Sequence, residues 1–337
     1  MKVYRWPAEQ PPKAKRLVAV GGFDGLHLGH QRVAQELCRR AAQLGWYSCL
    51  VTFEPLPAQV FASAPPHNRR LTTQAERLRL LKRFCLDEVC ILDFNRKELR
   101  QLTAREFVAK VLHEALGAEG LCGSESHRMG SDRVAWYELV AIAGELGMKA
   151  VAVEPVQIRG ERPSSTHIRE LVWAGEMNKA RELLGRDYTV TSVAVPGQGL
   201  GRTLGFPTAN LEVAEEKLLP AEGVYSGWAV GEVLGQGPLD VPGVGAAWPA
   251  AINVGTCPTL KHEGNTSFEV HVIGWNGTTC GCELTAGVSE RLRGEQCFRD
   301  AESLRTQIAV DVSRARRLAL RRYGASRAFT SGPKHGG

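Results

Sequence analysis

The sequence predicts an α/β protein in two modules, a doubly wound parallel sheet followed by a small, mostly-β barrel with a C-terminal helix. Three observations carry this. At 337 residues the chain exceeds the roughly 100 to 200 residues of a single domain. Its first half alternates short apolar runs with stretches of helical period, the pattern of parallel strands joined by helices. Beyond Gly185-Arg186-Asp187 the pattern changes to short strands with Gly-rich connections, which places the modules at 1–185 and 186–323.

Taken in order, Leu17 to Val20 is an apolar run bounded by Gly21-Gly22, hence a buried parallel strand. Gly22-Phe23-Asp24-Gly25-Leu26-His27-Leu28-Gly29-His30 then leads into a helical segment from Gln31 to Gly45. His27 and His30 therefore stand at i and i+3 of a strand-to-helix turn, where both imidazoles and the free amides of the helix start are expected to face one anion site. Ser48 to Glu54 and Glu88 to Phe94 read as strands, Ala75 to Phe84 and Thr103 to Leu116 as helices, and ligands of such a sheet bind beyond its strand ends. Ser164-Ser165-Thr166-His167-Ile168-Arg169 offers Ser and Thr as N-caps and Arg169 in the first turn of a helix running toward Leu184, a composition suited to clamping phosphate.

In the second module Thr189 to Val195 alternates as a strand, and Pro196 to Leu200 breaks it into a Gly-rich flap. The next ten residues, Gly201 to Asn210, combine two glycines, an arginine, a proline and a hydroxyl-amide pair. Glycines let backbone amides approach an anion. Thr208 and Asn210, with Pro207 fixing the backbone before them, form an oxygen pair for Mg²⁺ on a nucleotide phosphate. The pattern is not a P-loop, and composition alone favours a tight Gly-Pro loop between two strands. Val224 to Val230, Ala250 to Val254, Ser267 to Trp275 and Glu283 to Val288 read as strands of a small barrel. Period two puts Phe268, Val270 and Val272 on one face and Glu269, His271 and Ile273 on the other. A carboxylate at a barrel mouth can accept a proton from a substrate hydroxyl, although such a strand can also simply face water. Leu304, Ile308, Val312 and Ala315 mark a helix expected to pack on the barrel, and 324–337 is expected to be a disordered tail.

Composition narrows the function classes. Hydrophobic residues make up 43% and charged residues 23%, as in ordinary globular proteins. The first residues lack an apolar h-region, and no apolar run approaches the ~18 residues of a membrane span, so a cytoplasmic location without a membrane partner is expected. Nine cysteines, an odd number with no C-x-x-C pair, suit reduced thiols. A net charge of +6 and a pI near 8.9 fit substrates that are di- and triphosphates. Much of the excess lies in Arg314, Arg316, Arg317, Arg321 and Arg322, closing a helix that Asp300 and Glu302 open, as the macrodipole favours. Without aromatic platforms or RNA-module motifs, no nucleic-acid partner is expected. Nothing in the sequence sets the oligomeric state.

The segment Gly201 to Asn210 resembles the signature of riboflavin kinases, and Ala251 to Thr259 and Phe268 to His271 resemble that family's next two motifs, in the same order. The resemblance implies that Gly199, Gly201, Arg202, Gly205 and Asn210 contact ATP, that Thr208 and Asn210 hold Mg²⁺, and that Glu269 is the base for the ribityl hydroxyl that attacks the γ-phosphorus. Leu292 to Phe298 is similar to the family's flavin-side loop, which implies that Arg293 and Phe298 border the isoalloxazine. Upstream, His27-Leu28-Gly29-His30 resembles the H-x-G-H signature of α/β nucleotidyltransferases, and the longer string from Gly22 looks like their flavin adenylyltransferase branch. There a substrate phosphate attacks the α-phosphorus of ATP without a protein nucleophile. The resemblance implies that His27, His30 and Arg169 stabilise the transition state, while Gly22, Phe23, Asp24, Gly29, Ser165 and Thr166 hold the triphosphate. Over roughly residues 17 to 320 the motifs follow the order of bifunctional riboflavin kinase/FAD synthetases, implying riboflavin, FMN and ATP as substrates and FAD as final product. Two stretches depart from the family. Phe53-Glu54-Pro55-Leu56-Pro57 stands for Phe-Asp-Pro-His-Pro, and Gly123 to Gly130 lacks the aromatics of G-x-[DN]-F-x-F-G. They leave open a narrower reading, a riboflavin kinase whose first module binds without adenylylating.

Overall fold

In the computed structural model, which describes residues 1–61, 69–197, 199–256 and 266–324, the chain forms two compact units, Met1–His167 and Ile168–Gly337. That division falls ahead of the boundary expected after Gly185. The tail beyond Gly324 lies outside the described residues.

The first unit runs β1 (Lys2–Trp6), β2 (Arg16–Val20), a 3-10 turn Asp24–Leu26, α1 (Leu28–Leu44), β3 (Tyr47–Glu54), α2 (Pro57–Phe61), α3 (Gln74–Leu81), β4 (Glu88–Asp93), α4 (Lys97–Gln101) and α5 (Ala104–Glu106). The last continues as a π-helix, Phe107–Ala115, and is followed by β5 (Ala118–Ser124), β6 (Arg128–Met129), β7 (Val134–Ala135), α6 (Trp136–Glu145) and β8 (Lys149–Val153). Thr103, read as the first helical residue, is instead the N-cap of α5, in a reciprocal capping box with Glu106. Six strands pair in parallel in the order β1-β4-β3-β2-β5-β8. Successive residues of one strand enter opposite cores: Val18 and Val20 pack with Val51 and Leu92, whereas Leu17 and Ala19 pack with Leu50 and Ile91. A sheet buried on both faces needs such continuous apolar strands. The strand order reverses beside β2, since β3 and β4 extend one way and β5 and β8 the other, so the crevice of this sheet opens beyond the ends of β2 and β5.

The single helix expected from the Ser-Thr caps toward Leu184, with Arg169 in its first turn, is two helices, α7 (Ser165–Trp173) and α8 (Met177–Leu184). Gly175 breaks them at φ 76, where a Cβ would come 2.9 Å from the Tyr225 hydroxyl. The second unit continues through β9 (Tyr188–Val195), α9 (Leu200–Thr203), β10 (Ala209–Leu211), β11 (Gly223–Val230), β12 (Leu239–Val241), β13 (Gly245–Thr256), β14 (Thr266–Val272), β15 (Glu283–Arg293) and α10 (Ala301–Tyr323). Its strands run β11-β15-β9-β10-β14-β13, the β11–β13 pairing closes an antiparallel barrel, and β12 lies on the free edge of β13. Tyr225, Ile252, Val254, Phe268, Val270, Leu284 and Ala286 are almost completely buried. The buried stripe of α10 sits further along than the pattern suggested: Ala315, Ala319 and Tyr323 are buried, whereas Leu304 and Ile308 are half-buried. Beside it the buried Asp187 carboxylate accepts from Trp228 Nε1 at 2.7 Å and from the Tyr323 hydroxyl, which also bonds Ser289.

In the first unit the Arg16 guanidinium, 1% exposed, donates to Glu88 at 2.6 and 3.3 Å and to the Leu116 carbonyl at 2.9 Å. Removing one partner strands a buried charge, so Glu88→Ala is expected to cost about 3–5 kcal/mol. The check is a lowered urea midpoint for the first unit's transition with the second unit's unchanged.

Candidate active sites

The loop leaving β2 is built on left-handed backbone: Phe23, Gly25 and Leu26 have φ of 49, 73 and 41. One buried carboxylate stabilises this conformation. Asp24 accepts from the amides of Leu71 and Thr72, both at 2.9 Å, and from the Thr72 hydroxyl at 3.0 Å. That carboxylate is therefore engaged by the 71–72 segment, and the Asp24 backbone carbonyl accepts from Ser165 Oγ of α7 at 2.9 Å. The Gly22 carbonyl accepts from Arg77 at 2.8 Å and Thr52 at 3.2 Å, which anchors the start of the loop. Gly25 has no room for a side chain, since a Cβ would lie 2.6 Å from Leu71.

His27 is the N-cap of α1. Its Nδ1 accepts from the His30 amide at 3.3 Å, which leaves the ring proton of the neutral imidazole on Nε2. The two imidazoles stack, 3.7 Å between centroids and 17° between planes, with Phe23 5.1 Å from His30. Gly29 allows this stack, because a Cβ there would press on the His27 ring at 3.2 Å. The pair forms one unit at the positive end of α1, suited to an anion. Ser164 Oγ caps α7 through the His167 amide at 3.2 Å, Thr166 is exposed, and Arg169 is half-buried in that helix.

The two departures from the family pattern have physical explanations. Leu56 is buried against Gly22. Glu54 accepts from Arg70 at 2.8 and 3.1 Å and from Arg77 at 3.0 Å, so its extra methylene serves an ionic cluster behind the loop. Burial lowers the Arg77 pKa to about 10. In the loop after β5 the Ser124 and Ser126 hydroxyls bond at 3.0 Å, and Arg128 bonds the Glu125 and His127 carbonyls. Burial, with Arg128 adding to it, lowers the His127 pKa to about 4 and keeps the ring neutral.

In the second unit Asn253, Glu269 and Asn210 are partners across β13, β14 and β10, so their side chains share one face. Phe268, Val270 and Val272 fill the other face, as the alternation predicted. The polar face is the barrel's outer wall rather than its mouth, because Ala251, on the Asn253 face, packs with Leu292 and Ala315 of α10. Thr208 Oγ1 lies 3.3 Å from Glu269 Oε2, and His271 Nδ1 bonds the Pro207 carbonyl at 2.8 Å, which ties the flap to this row. The flap lies directly on it. A Cβ on Gly197 would overlap the Asn210 amide, and one on Gly201 would lie 2.5 Å from the Phe206 carbonyl and 3.3 Å from Thr208 Oγ1. Gly199 (φ 74) and Gly205 (φ 88) bracket α9, which carries the exposed Arg202. At the far end of the row the Arg293 guanidinium lies 5.7 Å over the Phe298 ring and donates to Asp311 of α10 at 2.8 Å. Of the motif from Ala251 to Thr259, residues 257–259 lie outside the described residues.

The sequence reading did not assign Asn253 or Glu295 to a site. Asn253 lay within a quoted motif, and its register opposite Glu269 required the pairing. Glu295 lay within the stretch Leu292 to Phe298 that resembles the flavin-side loop, where only Arg293 and Phe298 were assigned, and its place over β13 required the structure. Eight described cysteines are free thiols, and no group of three or more His, Cys, Asp or Glu able to hold a metal occurs among the described residues. No described helix is long and apolar enough to cross a membrane.

Residues 9–167 match the family model described as FAD synthetase, and residues 184–319 the one described as riboflavin kinase. The bifunctional riboflavin kinase/FMN adenylyltransferase of Pseudomonas fluorescens is 34% identical over 316 residues, covering 91% of this chain and 94% of its own. Its counterpart in Escherichia coli K12 is 33% identical over 310 residues with the same coverage. A solved structure described as a macrolide-efflux protein from Streptococcus pneumoniae shares the fold at a TM-score of 0.80 and 26% identity, covering 94% of this chain and 99% of that one.

Burial raises the Glu269 pKa above the usual carboxylate value, and the Thr208 hydroxyl, which favours the charged form, holds it down. Thr208→Val removes that hydroxyl, so the Glu269 carboxyl is expected to titrate at still higher pH. Carboxyl ¹³C NMR titration of the two proteins checks the direction.

Proposed function

Because the chain belongs to the bifunctional riboflavin kinase/FMN adenylyltransferase family, we propose that its two reactions are carried by the two constellations described above. The chain phosphorylates riboflavin to FMN and adenylylates FMN to FAD, with ATP as co-substrate in both steps. The FAD synthetase match over 9–167 favours this over a kinase with a merely binding first module.

The kinase assignment rests on the row Asn210–Glu269–Asn253 beneath a glycine flap. Glu269, half-buried and with a raised pKa, takes the proton of the ribityl hydroxyl as that oxygen attacks the γ-phosphorus. Gly199, Gly201, Arg202 and Gly205 line the phosphate side of the flap. The donors fit Mg²⁺: Thr208 and Asn210 offer hard oxygens, the side-chain-free Gly197 lies against the Asn210 amide, and an ion that relies on one or two protein oxygens plus phosphates needs no carboxylate cage. When bound, Mg²⁺ would neutralise charge on the β- and γ-phosphates. Arg293 and Phe298 border the isoalloxazine.

In the adenylylation module no protein nucleophile is needed. An FMN phosphate oxygen attacks the α-phosphorus, and His27 Nε2–H, His30 and the α1 amides take up charge on the transition state and the leaving pyrophosphate. Gly22, Phe23 and Gly29 shape the phosphate loop, Ser165, Thr166 and Arg169 hold phosphate from α7, and Asp24 contributes by fixing the loop. We assign the modules to 1–185 and 186–323 and the protein to the cytoplasm, with small molecules and no nucleic acid as its partners.

Chromatography of products from riboflavin, ATP and Mg²⁺ is expected to show FMN and FAD together, and FMN alone would return the narrower kinase reading. His30→Ala is expected to abolish FAD formation while riboflavin phosphorylation stays at the wild-type rate. Glu269→Gln keeps the side chain's shape and removes the base, so FMN formation should fall by about 10²–10⁴-fold with adenylylation of added FMN unchanged. Wild-type FMN formation in Glu269→Gln would exclude this residue as the base.

A further inference from the structure

The row that ends at Asn253 does not stop there. Gly255, two residues on and on the same face of β13, has no side chain, and the space is taken by Glu295: a Cβ on Gly255 would overlap Glu295 Oε1. The same point lies 3.5 Å from Asn253 Nδ2. A carboxylate from the loop after β15 is thus laid over the backbone of β13 beside an amide whose register partner is Glu269. Ser267, two residues before Glu269, holds this backbone from the other side, its hydroxyl donating to the Gly255 carbonyl at 3.0 Å.

From these positions we propose that Asn253 and Glu295 form a polyol subsite that grips the ribityl chain between Glu269 and the ring-binding pair Arg293 and Phe298. The proposal rests on the kinase reading. Glu269 must meet the terminal hydroxyl, while the isoalloxazine is placed at the guanidinium-phenyl pair, so the intervening hydroxyls cross the strip where Asn253 and Glu295 meet. Neighbouring strands lie about 4.8 Å apart, a step of the size that a few chain carbons span. Each hydroxyl has a proton to donate, which a carboxylate accepts strongly, and oxygens that an amide can donate to. Neither group suits an apolar ring. Gly255 is the positional requirement of the subsite, since any side chain there expels the Glu295 carboxylate.

The test uses the full-length protein and separates riboflavin from its co-substrate. In Glu295→Ala and Asn253→Ala the riboflavin KM is expected to rise about tenfold or more, with the MgATP KM and the adenylylation of added FMN unchanged. Gly255→Ala should reproduce the Glu295→Ala defect, and combining the two should add little to either. Glu295→Gln, which keeps size and accepts less strongly, should fall between. Lumiflavin, which carries a methyl group in place of the ribityl chain, is expected to bind Glu295→Ala as tightly as it binds wild type by fluorescence quenching. An unchanged riboflavin KM in Glu295→Ala, or an equal loss for lumiflavin, overturns the subsite. A wild-type protein that makes no FMN would instead overturn the kinase reading beneath it.

Discussion

Strand register is the constraint on which the second unit depends. Asn210, Glu269 and Asn253 belong to three strands and share a row only because β10 pairs with β14 and β14 with β13 in one alignment. A slip of one residue would turn Glu269 into the space held by Phe268 and Val270 and bring those apolar groups to the outer wall. The apolar interior and the β11–β13 closure therefore specify the polar row, at no separate cost to the polar residues themselves. Glycine completes the arrangement from outside. At Gly197, Gly201 and Gly255 the absent side chain is the feature that lets the flap and the Glu295 loop lie against the strands.

In the first unit the corresponding constraint is a buried carboxylate. Left-handed backbone at Phe23, Gly25 and Leu26 would be unfavourable alone, and Asp24 offsets it by satisfying two amides and a hydroxyl of the 71–72 segment at once. Arg77 reinforces the same loop by holding the Gly22 carbonyl and Glu54 together, although it is completely buried. His27 then spends one ring nitrogen on the helix start, which places the proton of the neutral ring on the other. Here structural and chemical roles are divided within single side chains, not only between residues.

Much of this was legible in the sequence, and the failures have physical causes. The strand at Leu17 to Val20 and the helix after His30 stood out because an apolar run, glycines and a clear period coincide there. The edge strands Lys2–Trp6 and Lys149–Val153 were missed: the first mixes polar and apolar residues along a half-exposed length, and in the second the short run Ala150 to Val153, made of small residues and largely exposed, was passed over. The break at Gly175 was passed over since a lone glycine is tolerated in a helical pattern, and its left-handed backbone and the approach of Tyr225 appear only in the structure. Period two identified the two faces of β14 correctly but could not say that the polar one is the outer wall, which depends on where α10 packs. Beside the phosphate contact that its motif implies, Asp24 has a structural role that the sequence did not show. Its partners Leu71 and Thr72 are distant in sequence, and no local pattern announces them.

The tie between Asp187 and Tyr323 bears on how the molecule is made. Synthesis releases the chain from its N-terminus, and domains generally fold as units in that order. Every strand of the first sheet has been translated once Val153 is out, so that unit can close while the rest is still being made. The second cannot. Its first strand, β9, waits for β15, and the Asp187 carboxylate at its threshold obtains its hydroxyl donor only when the last turn of α10 has left the ribosome. Until then the carboxylate has Trp228 and Arg181 but lacks the Tyr323 hydroxyl that completes its surroundings. A ribosome stalled anywhere in α10 would therefore display a folded first unit attached to an unfinished second one.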